Sequence, residues 1–278
     1  MTVRASQESV PNSVSASARA KPVMDRVITG KFKSVDMQTE TSVVSRIGNR
    51  DSNQDRAAVR TRAGSTLLVV ADGMGGHADG AAAAETAVAA VEHAFTGRGD
   101  PREFLVRALQ QAHEDAVALG AGIALELRPR TTCVAAVVSD GRAWWAHVGD
   151  SRAYLLRGGG TETRTRDHSH VEALLRAGEI SEAESRRHPL RNLVERCIGG
   201  EPEPIDVDVH GPVSLQPDDV LLLCSDGFWD GLDARKAAPR LVAAASLEAE
   251  LGELADHACT AAAPYADNAT AAALRVRG

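Results

Sequence analysis

Two stretches of this chain share one form: LLVVADG at residues 67–73 and VLLLCSDG at residues 220–227. Each is an apolar run too continuous to leave a wet face, so each reads as an interior strand covered on both sides. Each delivers one aspartate to its C-terminal end and follows it at once with glycine. A lone Asp-Gly after a strand is ordinarily a turn. Two after buried strands are harder to read that way, especially with Asp150 in AHVGDSRAYL and Asp267 in YADNAT at further strand edges. Converging carboxylates repel one another and are costly to bury unless a cation neutralises them. Hard oxygen donors without His or Cys select Mg2+ or Mn2+ rather than zinc. The glycine after each aspartate lets the backbone come close, and its carbonyl can act as a further ligand.

The remaining pattern places these strands in an antiparallel framework. Residues 39–44 look strand-like, and AAVRTRAGSTLLVVADG reads as two strands joined at Ala63 and Gly64. An alanine-rich helix is expected from Gly80 to about Phe95. Pro101 opens another, with Phe104, Ala108, Leu109, Ala112, Ala116 and Leu119 in one apolar stripe. Residues 131–160 read as a three-stranded meander with a hairpin at Asp140 and Gly141. A short helix, HVEALLRAG, is stopped by Gly178. Residues 234–262 read as helical with an interruption at Pro239, and DNATAAALRVR as a closing strand. Strands and helices come in blocks rather than alternating, which favours antiparallel sheets over a doubly wound one. Residues 1–36, rich in Ser, Ala, Lys and Arg without sustained periodicity, read as a flexible N-terminal tail.

Charge and composition exclude several function classes. The 278 residues carry a net charge of -7, and no basic surface is concentrated enough for a nucleic-acid backbone. No apolar run is long enough to span a bilayer and the N-terminus lacks an apolar signal core, so the expected address is the cytoplasm, with no membrane partner. Cys133, Cys197, Cys224 and Cys259 are far apart and form no C-x-x-C pair, which argues against a disulfide or zinc framework. Gly73, Gly75 and Ala78 do satisfy a loose dinucleotide fingerprint. However, Glu92, the acidic residue at about the required distance, falls inside a helix, and Asp72 would repel a pyrophosphate. With a cation between them the aspartate becomes an asset. Arg50, in RIGNRDSNQDRA, then offers a planar fork for phosphate oxygens beside a carboxylate centre.

At this point the residues resemble a family. RDSNQD, VVADGMGGHADG, the TT of RPRTTCVAAVV, AHVGDSRAYLL, TRDHSHVEALLRAGEIS, HPLRN, LLLCSDGFWD and DNAT stand in the order and spacing of the metal-dependent serine/threonine protein phosphatases (the PP2C or PPM family, bacterial branch). The resemblance covers about residues 40–278. It implies an α+β fold, a four-layer αββα sandwich in which two central antiparallel β-sheets are flanked by pairs of antiparallel helices. The phosphatase domain would span residues 37–278, with a flap at about 165–190.

Carried onto this chain, the resemblance implies that Asp72 bridges two metals with the Gly73 carbonyl on one of them, while Asp226 and Asp267 complete the other. Arg50 would bind the substrate phosphate, and Asp55 would orient metal-bound water. Asp150 would help to hold a third metal, with the backbone at Asn192 as its partner. The implied cofactors are two core Mn2+ or Mg2+ ions, with a candidate third. The implied partners are phosphorylated proteins and an opposing Ser/Thr kinase, and the expected chain is a monomer. The implied reaction is hydrolysis of phosphoserine and phosphothreonine by a metal-activated water, without a phosphoenzyme. Four positions depart from the pattern or are ambiguous. Gln54 stands where many members have glutamate, Met74 where animal relatives keep a histidine, and Arg130 where G-T-T is usual. His77 follows two glycines and reads as a loop residue. Gln54 and Arg130 keep open an alternative, a phosphoprotein-binding regulatory pseudophosphatase of the same fold.

Overall fold

The computed structural model describes residues 30–34, 37–74 and 78–278. Strand β1 (Gly30–Ser34) pairs antiparallel with β2 (Met37–Arg46), so the end of the stretch expected to be a tail joins a sheet. The rest of that stretch, residues 1–29 and 35–36, lies outside the described residues. Strands β3 (Asp55–Arg62) and β4 (Ser65–Met74) form the expected hairpin. Its turn places Ala63 and Gly64 in the left-handed region (φ 49° and 82°), the two-residue geometry that matches strand twist. Helix α1 (Ala78–Ala94) follows, then α2 (Pro101–Leu119), which is opened by Pro101 and capped by the Asp100 carboxylate accepting from the Glu103 amide.

The short β5 (Arg130–Thr131) leads to the hairpin of β6 (Cys133–Ser139) and β7 (Arg142–Val148), while β8 (Arg152–Arg157) and β9 (Gly160–Arg164) form a hairpin in the other sheet. The expected three-stranded meander is thus divided between the two sheets, because the chain crosses over at residues 149–151. Residues 165–190, expected from the sequence to form a flap, carry α3 (His170–Ala177), ended by left-handed Gly178, and the short α4 (Glu182–Ser185). After them come β10 (Ile198–Gly199), β11 (Asp208–Ser214) and β12 (Val220–Cys224). The chain closes with α5 (Asp226–Trp229), α6 (Ala234–Ala243), α7 (Leu247–Ala262) and β13 (Ala269–Arg277).

All strand pairings are antiparallel, in two sheets. One runs β1-β2-β13-β12-β8-β9, and the other β10-β5-β4-β6-β7-β11 with β3 on β4. The alternation of each strand's side chains divides the core into three apolar layers. Leu68, Val70, Val134, Leu221, Leu223 and Leu274 fill the space between the sheets. Leu67, Val69 and Cys133 face α1 and α2, and Leu222, Cys224 and Ala273 face α6 and α7. Strands β4, β6 and β12 are therefore covered on both faces, which is why their sequences carry uninterrupted apolar runs. Ala83, Ala84 and Ala87 are fully buried, and these small side chains bring α1 close to the sheet. The architecture is the expected α+β sandwich of two antiparallel sheets flanked by helices. All four cysteines are free, and burial pushes the Cys133 thiol up to about 12, as expected of an inert core residue.

Two expectations for helices also shift. The buried face of α2 takes in Leu105 and His113 while Leu119 is exposed, because the last turn runs past the sheet. Helix α6 continues through Pro239 and breaks instead at residues 244–246, where the Ser246 side chain caps α7. Ala237, Ala238 and Leu241 are buried against the sheet, and that packing outweighs the hydrogen bond lost at proline.

Candidate active site

Antiparallel register gathers the acidic strand ends. Cys224 at the end of β12 pairs with Ala271 of β13 on one side and Arg152 of β8 on the other, so three neighbouring strands finish or begin at one end of one sheet. Asp226 lies two residues past β12, Asp267 two before β13, and Asp150 two before β8. In the opposing sheet, Asp55 at the start of β3 is the direct cross-strand partner of Asp72 near the end of β4. Arg50 lies in the loop that leaves β2, whose last residue, Arg46, pairs with Ala269 at the same end. Thus all the site residues proposed from sequence meet at one edge where both sheets open.

The local supports are specific. The Asp72 carbonyl accepts from Thr131 Oγ1 and from the Thr132 amide, both at 2.8 Å. The TT pair thus holds the backbone of the central aspartate. A Cβ on Gly73 would stand 2.2 Å from the Gly80 carbonyl oxygen, and one on Gly227 would stand 2.2 Å from the Asn268 carbonyl oxygen. Both glycines are therefore required by close backbone approach. Asn268 accepts from the Gln54 amide and donates to the Ile47 and Ser52 carbonyls, all within 3.1 Å. It locks the Arg50 loop onto the turn that presents Asp267. Gly227→Ala is expected to cost about 1–3 kcal/mol by forcing these backbones apart, and to displace Asp226 from Asp267. Denaturant unfolding and a phosphate-release assay would read both effects.

Electrostatically the centre is poised for cations. Burial first, then repulsion from Asp55, Asp226 and Asp150, holds the Asp72 carboxyl well above the usual carboxylate range. Burial raises Asp55 to about 7 although the Ser225 hydroxyl, donating at 2.7 Å, pulls it down. Burial, then Asp226 and Asp167, raises Asp150 to about 8, and burial followed by Asp267 raises Asp226 to about 6. Asp55 Oδ1 and Asp226 Oδ1 are buried without a hydrogen-bond partner. An oxygen-only donor set with orphaned, mutually repelling carboxylates fits Mg2+ or Mn2+. Among the described residues Arg50 contributes a positive charge directly, its Nη2 lying 2.5 Å from Asp267 Oδ2.

Sequence reasoning missed the supports of Asp150 and Asp55. Trp229 Nε1 donates to the Asp150 carbonyl at 3.0 Å, and Arg152 stacks over the Trp229 ring at 3.4 Å while gripping Asp167 with two hydrogen bonds. Ser225, directly before Asp226, holds Asp55 across 170 positions of sequence. Their signal was adjacency to the acidic motifs. Met74 pairs in register with Arg130 and lines a cavity of roughly 590 Å3 with His113, Arg130 and Glu203. Strand β5 begins at Arg130, and its side chain passes Gly200, where a Cβ would stand 2.4 Å from Arg130 Nε. The arginine is accommodated without crowding because position 200 is glycine. His77 lies outside the described residues.

Comparison with known proteins gives the same picture. The profile of the family described as Protein phosphatase 2C matches residues 44–262. The chain is 37% identical over 196 residues to protein phosphatase PhpP of Streptococcus pneumoniae, covering 68% of this chain and 78% of that one. It superposes on the serine/threonine phosphatase Stp1 of Staphylococcus aureus with a TM-score of 0.77 and 26% identity, over 90% of this chain and all of that one. A PstP catalytic domain solved with two manganese ions gives 0.73 and 27%, over 86% and 99%. With its acidic strand ends gathered at one edge of two antiparallel sheets, this chain belongs to the protein phosphatase 2C family of metal-dependent serine/threonine phosphatases.

Proposed function

We propose that the protein hydrolyses phosphoserine and phosphothreonine in protein substrates at a centre of two divalent cations, by direct attack of water and without a phosphoenzyme. The observation that carries this reading is the convergence of Asp55, Asp72, Asp150 and Asp226 with carboxyls raised by burial and mutual repulsion. Asp72, the Gly73 carbonyl, Asp226 and Asp267 would hold the two core ions, and Asp150 a third. Bound there, Mn2+ or Mg2+ supplies a water nucleophile at neutral pH and charge neutralisation on the phosphoryl oxygens.

The chain's own groups do the rest. Asp55, fixed by Ser225, turns an unpaired oxygen into the site and can accept a hydrogen bond from the attacking water. Arg50, more than half exposed, can turn its guanidinium from Asp267 to two phosphate oxygens. Hydroxyls beside the centre are already engaged: Ser225 with Asp55, Thr131 with the Asp72 carbonyl and Thr270 with Ser45. That supports water, rather than a side chain, as the nucleophile. Met74 offers no proton, so this position does not supply the leaving group's proton. Among the described residues no helix is long and apolar enough to cross a membrane. A monomer in the cytoplasm, opposing a Ser/Thr kinase, is the setting we infer.

The purified protein is expected to release phosphate from phosphoserine and phosphothreonine peptides with Mn2+ and to stop in EDTA. Tight phosphopeptide binding without release would establish the pseudophosphatase alternative instead. Arg50→Ala is expected to lower kcat/KM on phosphopeptides roughly ten- to hundredfold, the loss of about 1.5–3 kcal/mol from charge-assisted hydrogen bonds. Steady-state kinetics check this, and an unchanged value would remove Arg50 from the substrate site.

A further inference from the structure

A second group of ligating side chains lies outside the carboxylate centre. His147 on β7 and Asp208 on β11 are direct cross-strand partners, so their side chains share one face. His168, in the loop after β9, completes the group with its ring 4.5 Å from that of His147. One donor atom from each of the three lies within 4.8 Å of the others. His147 is fully buried, and its Nε2 stands 2.7 Å from the Arg166 carbonyl. A carbonyl only accepts, so Nε2 carries the proton and Nδ1 keeps its lone pair. That buried Nδ1 has no hydrogen-bond partner. A histidine that donates through one nitrogen to a carbonyl and offers the other is oriented as metal-ligating histidines are.

We propose that His147 Nδ1, His168 and Asp208 form a distinct Zn2+ site, with water completing a four-coordinate shell. Two imidazoles and one carboxylate are a borderline donor set that suits zinc, unlike the all-oxygen set of the catalytic centre. Burial lowers both histidines, His147 to about 4, so both rings are neutral and ligation-competent at pH 7. Asp208 provides the negative charge and the adjustable arm. Its side chain is 47% exposed, with Oδ2 3.3 Å from His168 Nε2 and Oδ1 3.6 Å from Arg196. Donors up to 4.8 Å apart are wider than a tetrahedral shell with bonds of about 2.0–2.2 Å allows, and the two imidazoles are stacked at 24°. A bound ion therefore draws the carboxylate inward and turns the His168 ring out of the stack to aim both in-plane lone pairs at one point.

Binding has one identifiable structural consequence. His168 Nδ1 accepts from the Gly149 amide at 3.2 Å, so the ring's proton sits on Nε2, toward Asp208. Zinc at Nε2 displaces that proton to Nδ1, where it opposes the Gly149 N–H and breaks this contact. Gly149, with φ 107°, directly precedes Asp150. The zinc site is thereby mechanically joined to the residue assigned to the third catalytic metal.

The test uses the full chain saturated with Mn2+, incubated with one equivalent of Zn2+, separated from free metal by gel filtration and analysed for both metals. One zinc per chain retained with Mn2+ still in place is expected. Asp208→Asn, a substitution at a half-exposed position, is expected to weaken zinc retention at least tenfold without changing the Mn2+ content. His168→Asn is expected to do the same. Zinc that only displaces Mn2+, or that binds Asp208→Asn as tightly as the wild type, overturns the proposal. Because binding rather than turnover is read, the outcome is independent of the phosphatase reading.

Discussion

Asp72→Asn is expected to lower phosphate release by on the order of 10^3-fold or more, because this residue faces Asp55, Asp226 and Asp150 within the proposed cation centre. The same substitution is expected to raise the melting temperature of the metal-free protein at pH 8. Asparagine nearly preserves the shape and removes an ionisable group that burial and its acidic neighbours disfavour, while the backbone contacts through Thr131 and Thr132 do not involve the side chain. Calorimetry in EDTA and an assay in Mn2+ together separate catalytic from structural damage. A variant that loses activity and also melts earlier in EDTA would place Asp72 in the framework rather than in a cation site. Full activity would remove it from catalysis.

The second large effect is a pH-dependent stability that appears only without metal. Asp55, Asp226 and Asp150 have folded values of about 7, 6 and 8, all raised from 3.8. A carboxyl raised in the folded state binds its proton more tightly there, so its favourable contribution is complete below about pH 4 and is lost as pH climbs through the folded value. The metal-free protein is therefore expected to lose stability steadily between about pH 4 and pH 8. Four coupled groups, Asp72 included, should move the melting temperature by several degrees or more. Cations that pair with the ionised carboxylates should remove most of this slope. Urea unfolding at about pH 5 and pH 8, with Mn2+ and with EDTA, tests this. A metal-free protein equally stable at both would mean that the carboxylates do not repel one another as the geometry requires.

Much of the fold and of the site is legible in the sequence because the signals are local. Leu67 to Ala71 and Val220 to Cys224 are apolar without interruption because each strand is packed on both faces, and that pattern alone points to a layered fold. The aspartate after each run, followed by a glycine that a neighbouring backbone presses against, marks the site. The Pro239 expectation failed because a helix can tolerate one lost hydrogen bond when its buried face is held by a sheet. Ser225 and Trp229 stand beside the acidic motif at Asp226, but which carboxylate each supports, Asp55 and Asp150, is not legible because those partners are far apart along the chain.

The sequence by itself determined which segments become interior strands and which carboxylates reach their ends, since burial pattern and turn chemistry act over a few residues. Tertiary structure alone decided that Asp150, Asp226 and Asp267 leave three adjacent strands of one sheet while Asp55 and Asp72 face each other in the second. It also decided that His147, His168 and Asp208 come together at all. The reason is that strand register is a cooperative property of pairings between distant segments, set by the packing of two sheets against each other rather than by any one segment.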